Sequence, residues 1–113
     1  MKINGHYRGY TGGFLRVNLA NRHVDRDAKY FQYDTLRKFV GGKGLGAYVL
    51  YNEVKSGAAP LGPDNKFILL TGPLTGTGVM TASRLTIVAK GPATGYWLDT
   101  GAGGFFGKGI EAG

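Results

Sequence analysis

Residues Gly42-Lys43-Gly44-Leu45-Gly46-Ala47 spell G-x-G-x-x-A, the spacing with which a glycine-rich turn sets a pyrophosphate against the start of a helix. That chemistry needs a strand before the first glycine and an acidic residue about 20 positions later. Here Thr35 to Val40 reads as helix, and only Asp64 could be argued, loosely, for the acid. The favoured reading is a helix–Gly-Gly–helix corner whose small residues permit tight packing. Contact of a phosphate with the amides ahead of the second helix stands beside it. His6 and His23 are the only histidines. No spacing links them to the convergent ligands of a metal site, so both read as structural or surface residues. The seven acids are spread from Asp25 to Glu111, and no Ser/His/Asp set or carboxylate pair is visible. No catalytic residue is therefore assigned on this chain. That leaves Arg84. It opens the second of two apolar runs in LLTGPLTGTGVMTASRLTIVAK, residues 69–90, directly after a stretch rich in glycine and threonine.

The bulk numbers narrow the partners. A net charge of +7 points to something anionic: nucleic acid, a phosphorylated cofactor or an acidic protein surface. The cations are scattered, with no block of five or six, so most read as solvated surface. Cysteine is absent, which excludes disulfides, thiolate metal sites and iron–sulfur ligation on this chain and fits a reducing, cytoplasmic setting. The first residues, Met1 to His6, lack the apolar core of a signal peptide, and no run approaches the ~20 apolar residues of a membrane span. With 113 residues the chain has room for one domain. The 21 glycines cluster at 12–13, 41–42 and 101–107, beside apolar residues, where turns or a close backbone approach would need them.

The elements that must position these residues follow from periodicity. Leu15, Val17 and Leu19 alternate with Arg16 and Asn18, the pattern of a half-buried strand with its apolar side inward. Ala20-Asn21-Arg22 turns, and His23-Val24-Asp25 returns as a short partner. Asp34 is expected to cap a helix carrying Leu36, Phe39 and Val40. Gly41-Gly42 breaks that helix, and Leu45, Tyr48, Val49 and Asn52 continue a second one over about 43–54. Residues 56–65 form a loop. Strands are expected over 66–70 and 84–90, with 91–95 turning the chain into an extended Tyr96-Trp97-Leu98. The glycine-rich tail, 101–107, leads to a last helix over 108–112. Short turns between successive strands imply antiparallel pairing, so the fold class is α+β: a β-rich antiparallel platform with a helix–Gly-Gly–helix excursion. Tyr30, Phe31, Tyr33, Phe39, Tyr48 and Tyr51 read as core and rim rather than as base-stacking platforms, and no nucleic-acid-binding motif accompanies them.

Six stretches, in order and at near-fixed spacings, carry a family likeness. They are Gly13-Phe14-Leu15-Arg16-Val17-Asn18-Leu19, Phe39-Val40-Gly41-Gly42-Lys43-Gly44-Leu45-Gly46, and Pro60 to Lys66 leading into Thr71-Gly72-Pro73-Leu74-Thr75-Gly76-Thr77. Ser83-Arg84, Ala89 to Gly95 and Gly103-Gly104-Phe105-Phe106-Gly107 follow. Together they resemble the N-terminal domain of the aldehyde ferredoxin oxidoreductases, over essentially the whole chain after about residue 9. On that resemblance residues 1–113 are a partial N-terminal cofactor-platform domain, one of two related halves that each face a pterin.

The resemblance implies a tungsten (or molybdenum) atom held by the dithiolenes of two pterins, with magnesium bridging their phosphates. It implies a 4Fe–4S cluster carried by a partner or a further segment, not by this chain, and oxidation of aldehydes to carboxylic acids with electrons passed to ferredoxin or an electron-transfer subunit. Arg84 stands at the family's pterin-phosphate arginine, and its planar fork of donors suits phosphate. Gly101, Gly103 and Gly104 match the second cofactor contact. Gly101 departs from the asparagine common there, so any contact it makes to the phosphate-bridging magnesium would be through its main-chain carbonyl. The implied partner is a larger polypeptide supplying the rest of the catalytic subunit, without which the chain is not expected to be active. The reading of a different class is a non-enzymatic basic module binding polyanions or nucleic acid.

Overall fold

The computed structural model describes residues 9–106, together with the backbone of 2–3 and 6–7. The fold is α+β with antiparallel sheets. A two-residue ladder pairs β1 (Lys2–Ile3) with β2 (His6–Tyr7). A hairpin follows, β3 (Phe14–Asn18) against β4 (His23–Asp27). Two helices come next, α1 (Tyr33–Phe39) and α2 (Gly42–Glu53). Last is a three-stranded sheet in the order β5 (Ile68–Thr71), β6 (Leu85–Lys90), β7 (Trp97–Ala102). The helix expected over 108–112 lies outside the described residues.

The core forms where α2 lies across the three-stranded sheet. Leu45 and Val49 from α2, Leu36 from α1, Leu70 from β5 and Tyr30 make one buried cluster, with Phe14, Phe31, Phe39 and Tyr48 packed against it. Most ring pairs meet edge to face, as their quadrupoles favour, with Phe14 and Phe31 4.9 Å apart at their centroids, while Phe39 and Tyr48 stack at 4.3 Å. Tyr30, Phe31, Phe39 and Tyr48 belong to the core or its edge, whereas Tyr33 and Tyr51 are exposed. Gly46 sets the distance between helix and sheet. A Cβ there would come within 2.7 Å of Val88 Cγ2, and Val88 is fully buried with no room to retreat. Gly46, which falls at an unspecified position of the G-x-G-x-x-A spacing, therefore serves packing: a helix backbone laid close on a strand.

Three expectations are corrected. Asp34 is not the cap of α1. The helix starts at Tyr33 with Gln32 in the capping position and no side-chain cap bond, so Asp34 lies in the first turn, where its charge still favours the helix dipole. The strand expected at 96–98 runs on to Ala102, because the ladder with β6 carries Gly101 and Ala102 as regular partners of Thr86 and Leu85.

The third correction concerns the hairpin. Its apolar side faces outward: Leu15 is 72% and Leu19 87% exposed, and Val17 and Val24 are also exposed. The polar side turns in. Arg16 donates from Nη1 and Nη2 to Glu53 at 2.8 Å each, and from Nε and Nη2 to Asp27 at 3.1 and 2.7 Å. Tyr30 adds a hydrogen bond to Glu53 at 3.1 Å. The inward face thus carries Phe14 against the aromatic core and, beside it, a guanidinium fork satisfied by carboxylates on both sides, which together outweigh the apolar contacts forgone on the other face.

The same network makes the fold acid-sensitive. The hydrogen bonds from Arg16 hold the Glu53 carboxyl below its ordinary range, and the Lys29 amide followed by Arg16 does the same for Asp27. A carboxyl whose native pKa is depressed stabilises the fold above its unfolded pKa, and that contribution is lost as pH falls through the native value. Denaturant midpoints measured from pH 7 downward should fall below about pH 4. Glu53→Gln should cost roughly 1–2 kcal/mol at pH 7, after allowance for the partly exposed Arg16, and flatten the acid limb of the profile.

Candidate functional site

The loop between β5 and β6 is organised by one buried hydroxyl. Thr75 Oγ1 accepts from the Gly72 amide at 3.1 Å and donates to the Arg84 carbonyl at 3.0 Å. Gly76 closes the loop by donating to Ala82 O at 2.9 Å. The glycines and threonines of this stretch therefore do local work: they let the chain turn tightly and pin the backbone of Arg84 at the mouth of β6.

From there the ladder sets the site. β6 and β7 pair Leu85 with Ala102 and Thr86 with Gly101. Continued outward, that register places Arg84 opposite Gly103 and Ser83 opposite Gly104. The contacts agree: a Cβ on Gly103 would lie 4.0 Å from Arg84 Cγ, and the Gly104 amide donates to Ser83 Oγ at 3.3 Å. Gly104 has φ +72°, where a side chain would be strained. Thus the four residues singled out from the sequence, Arg84, Gly101, Gly103 and Gly104, lie along one strand pair at one end of the sheet.

A cleft of ≈ 370 Å³ opens there between α2 and the sheet. Lys43, Arg84, Leu85, Thr86, Asp99, Thr100 and Gly101 line it. Arg84, Thr86 and Val88 alternate onto the sheet face that meets α2, and Asp99 and Gly101 share that face from β7. Among the described residues the Arg84 guanidinium has no carboxylate partner. Gly101 would tolerate a Cβ at ordinary contact distance, 3.4 Å from Leu85 O. Its lack of a side chain is therefore not demanded by packing within the chain, and it leaves the cleft floor open. Lys43, which the sequence reading placed among the surface cations, forms an ion pair with Asp99 at 3.0 Å. Only the fold shows this, because 56 positions separate the two.

Other cations scattered along the sequence prove to be tied into the structure. Lys90 Nζ donates to the carbonyls of Ser56 and Ala58, at 2.9 and 2.7 Å, while Arg16 is held as described. His23 pairs with Asp25, both side chains 61% exposed, in keeping with a surface role; the His6 side chain lies outside the described residues. Among the described residues there is no group of three or more His, Asp and Glu placed to hold a metal ion, and no helix long and apolar enough to cross a membrane.

Fold and site together define an α+β module with a cleft at one end of its sheet, lined by Lys43, Arg84, Asp99 and Gly101 among others. Residues 14–112 match the family described as aldehyde ferredoxin oxidoreductase, N-terminal domain. A tungsten-containing aldehyde ferredoxin oxidoreductase of Thermococcus kodakarensis is 41% identical over 103 residues, 91% of this chain and 17% of that protein. An aliphatic sulfonate oxidoreductase, WOR-like subunit, of Pyrococcus furiosus is 38% identical over 74% of this chain and 13% of its own length. Among solved structures, the active site complex BamBC of benzoyl coenzyme A reductase with 1,5-dienoyl-CoA superposes with a TM-score of 0.86 at 26% identity, over 92% of this chain and 16% of that one. The chain belongs to the aldehyde ferredoxin oxidoreductase N-terminal domain family. It spans about one sixth of the length of these relatives.

Proposed function

We propose that this chain is the part of a tungsten (or molybdenum) oxidoreductase that holds the phosphate end of the pterin cofactor, as a partial N-terminal platform covering residues 1–113. The observation that carries this reading is the register that sets Arg84, without a carboxylate partner among the described residues, beside Gly103 at the mouth of a glycine-floored cleft. The residues fit such a group. A planar guanidinium can donate two parallel hydrogen bonds to a phosphate, and the bare edge of Gly101 and Gly103 admits a flat ring system without a clash. Gly101 would offer its carbonyl to a phosphate-bridging magnesium, and Gly104 would keep the turn that aims its neighbours. When bound, the cofactor would supply the two-electron chemistry that takes an aldehyde to a carboxylic acid. This chain's residues would bind and orient it. A larger polypeptide would supply the second half of the platform, the 4Fe–4S cluster and the route to ferredoxin, in the cytoplasm.

The test is metal and pterin analysis of the native complex isolated through this chain. Stoichiometric tungsten or molybdenum, with iron and a cysteine-bearing companion, supports the reading. A metal-free chain that comes down with nucleic acid, and releases it steeply with salt, overturns it.

A further inference from the structure

Arg84 approaches the cleft from the sheet side; the cation on the helix side is Lys43. It stands in the first turn of α2, with its ammonium 3.0 Å from Asp99 Oδ2. Asp99 lies two residues before Gly101 on the same face of β7 and, among the described residues, is the one carboxylate lining the cleft. The two partners are unequal: the Lys43 side chain is 64% exposed and that of Asp99 28%. An ammonium has three donors, and the ion pair to Asp99 uses one of them. Among the described residues no other carboxylate lines the cleft. α2 has no acidic residue in its first turn and no side-chain cap at Gly41, whereas α1 carries Asp34 in the equivalent place.

We propose that Lys43 is a second phosphate-binding residue of this cleft, and that Asp99 positions it. The ligand class is a phosphate ester or pyrophosphate at the end of an organic cofactor, held by Arg84 from the strands and by Lys43 from the helix. The inference rests on the reading of the cleft as a cofactor site. Asp99 steadies the flexible lysine stem so that its charge is already aimed when the phosphate arrives, which lowers the ordering cost of binding. An ordinary surface ion pair would leave ligand retention untouched and change stability only slightly.

The experiment compares cofactor retention in the assembled enzyme carrying Lys43→Met, Lys43→Arg, Asp99→Asn, Asp99→Glu or Arg84→Met. The readouts are tungsten or molybdenum and pterin per chain after prolonged dialysis at rising salt, with thermal unfolding recorded alongside. Lys43→Met should lose cofactor roughly tenfold faster than the parent, with little change in melting. Lys43→Arg should retain it. Asp99→Asn should fall between, with Asp99→Glu restoring retention. Parental retention in Lys43→Met, while Arg84→Met loses its cofactor, overturns the role of Lys43 and leaves the cofactor reading standing. Parental retention in both variants overturns the cofactor reading and this inference with it. Should Lys43→Met fail to assemble, Asp99→Asn decides, and unchanged retention there overturns the proposal.

Discussion

Arg84→Met in the assembled enzyme should strip the complex of its metal and pterin while leaving the protein folded. The substitution keeps the length and apolar stem of the side chain and removes the guanidinium. Hydrogen bonds to a charged group contribute about 1.5–3 kcal/mol, so retention should weaken roughly 10- to 100-fold. Stability should barely move, by under about 0.5 kcal/mol, because Arg84 is exposed and its guanidinium has no carboxylate partner among the described residues. Its structural role is carried by its carbonyl, which Thr75 holds in either variant. Arg84→Lys should be intermediate: the charge remains, but the two-pronged geometry that matches a phosphate is gone. Metal and pterin content per chain, measured beside the melting curve, separates these effects. Full cofactor content in Arg84→Met would remove Arg84 from the site.

One residue further on, the expectation is the opposite. Leu85→Ala should destabilise the fold by about 2–4 kcal/mol, read as a drop in denaturant midpoint at unchanged slope. Leu85 is 1% exposed on the central strand, between Thr71 and Ala102. Deleting three carbons there removes their burial and leaves a cavity that two paired neighbours cannot close. A domain of this size has only about 5–15 kcal/mol in total, so the loss is a large share. Leu69→Ala, on the same sheet face but 43% exposed, should cost well under half as much. Equal losses for the two would mean that the sheet face bearing Leu69 is covered in the protein as tested.

Much of the architecture was legible before any coordinates. The two helices and their Gly-Gly corner, the hairpin and the three later strands follow from periods of 3.6 and 2 and from glycine and proline placement, because those signals are local. The ordered glycine, threonine and arginine stretches carried the family as well, since each records a backbone or contact requirement at a set position. What the residues could not show was which face of an element meets which partner. An alternating strand has two sides, and the side of the hairpin that turns inward is the one that meets distant partners: Phe14 packs on the aromatic core, and Arg16 reaches Glu53, 37 positions away. α1 starts two residues earlier than expected because Gln32, without a cap bond, still has the extended backbone that precedes a helix.

For the site, the residue types are legible in the sequence: an arginine after a glycine- and threonine-rich loop, glycines seventeen to twenty positions later, and an apolar run between them to form the central strand. Tertiary structure alone decided that β6 and β7 pair in the register that sets Arg84 beside Gly103, and that α2 lies over the same sheet face with Lys43 against Asp99. The physical reason is that register and helix placement depend on packing across the whole domain. Val88 pressed against the bare backbone of Gly46 fixes how close the helix can come, and the cleft is the space left at its end.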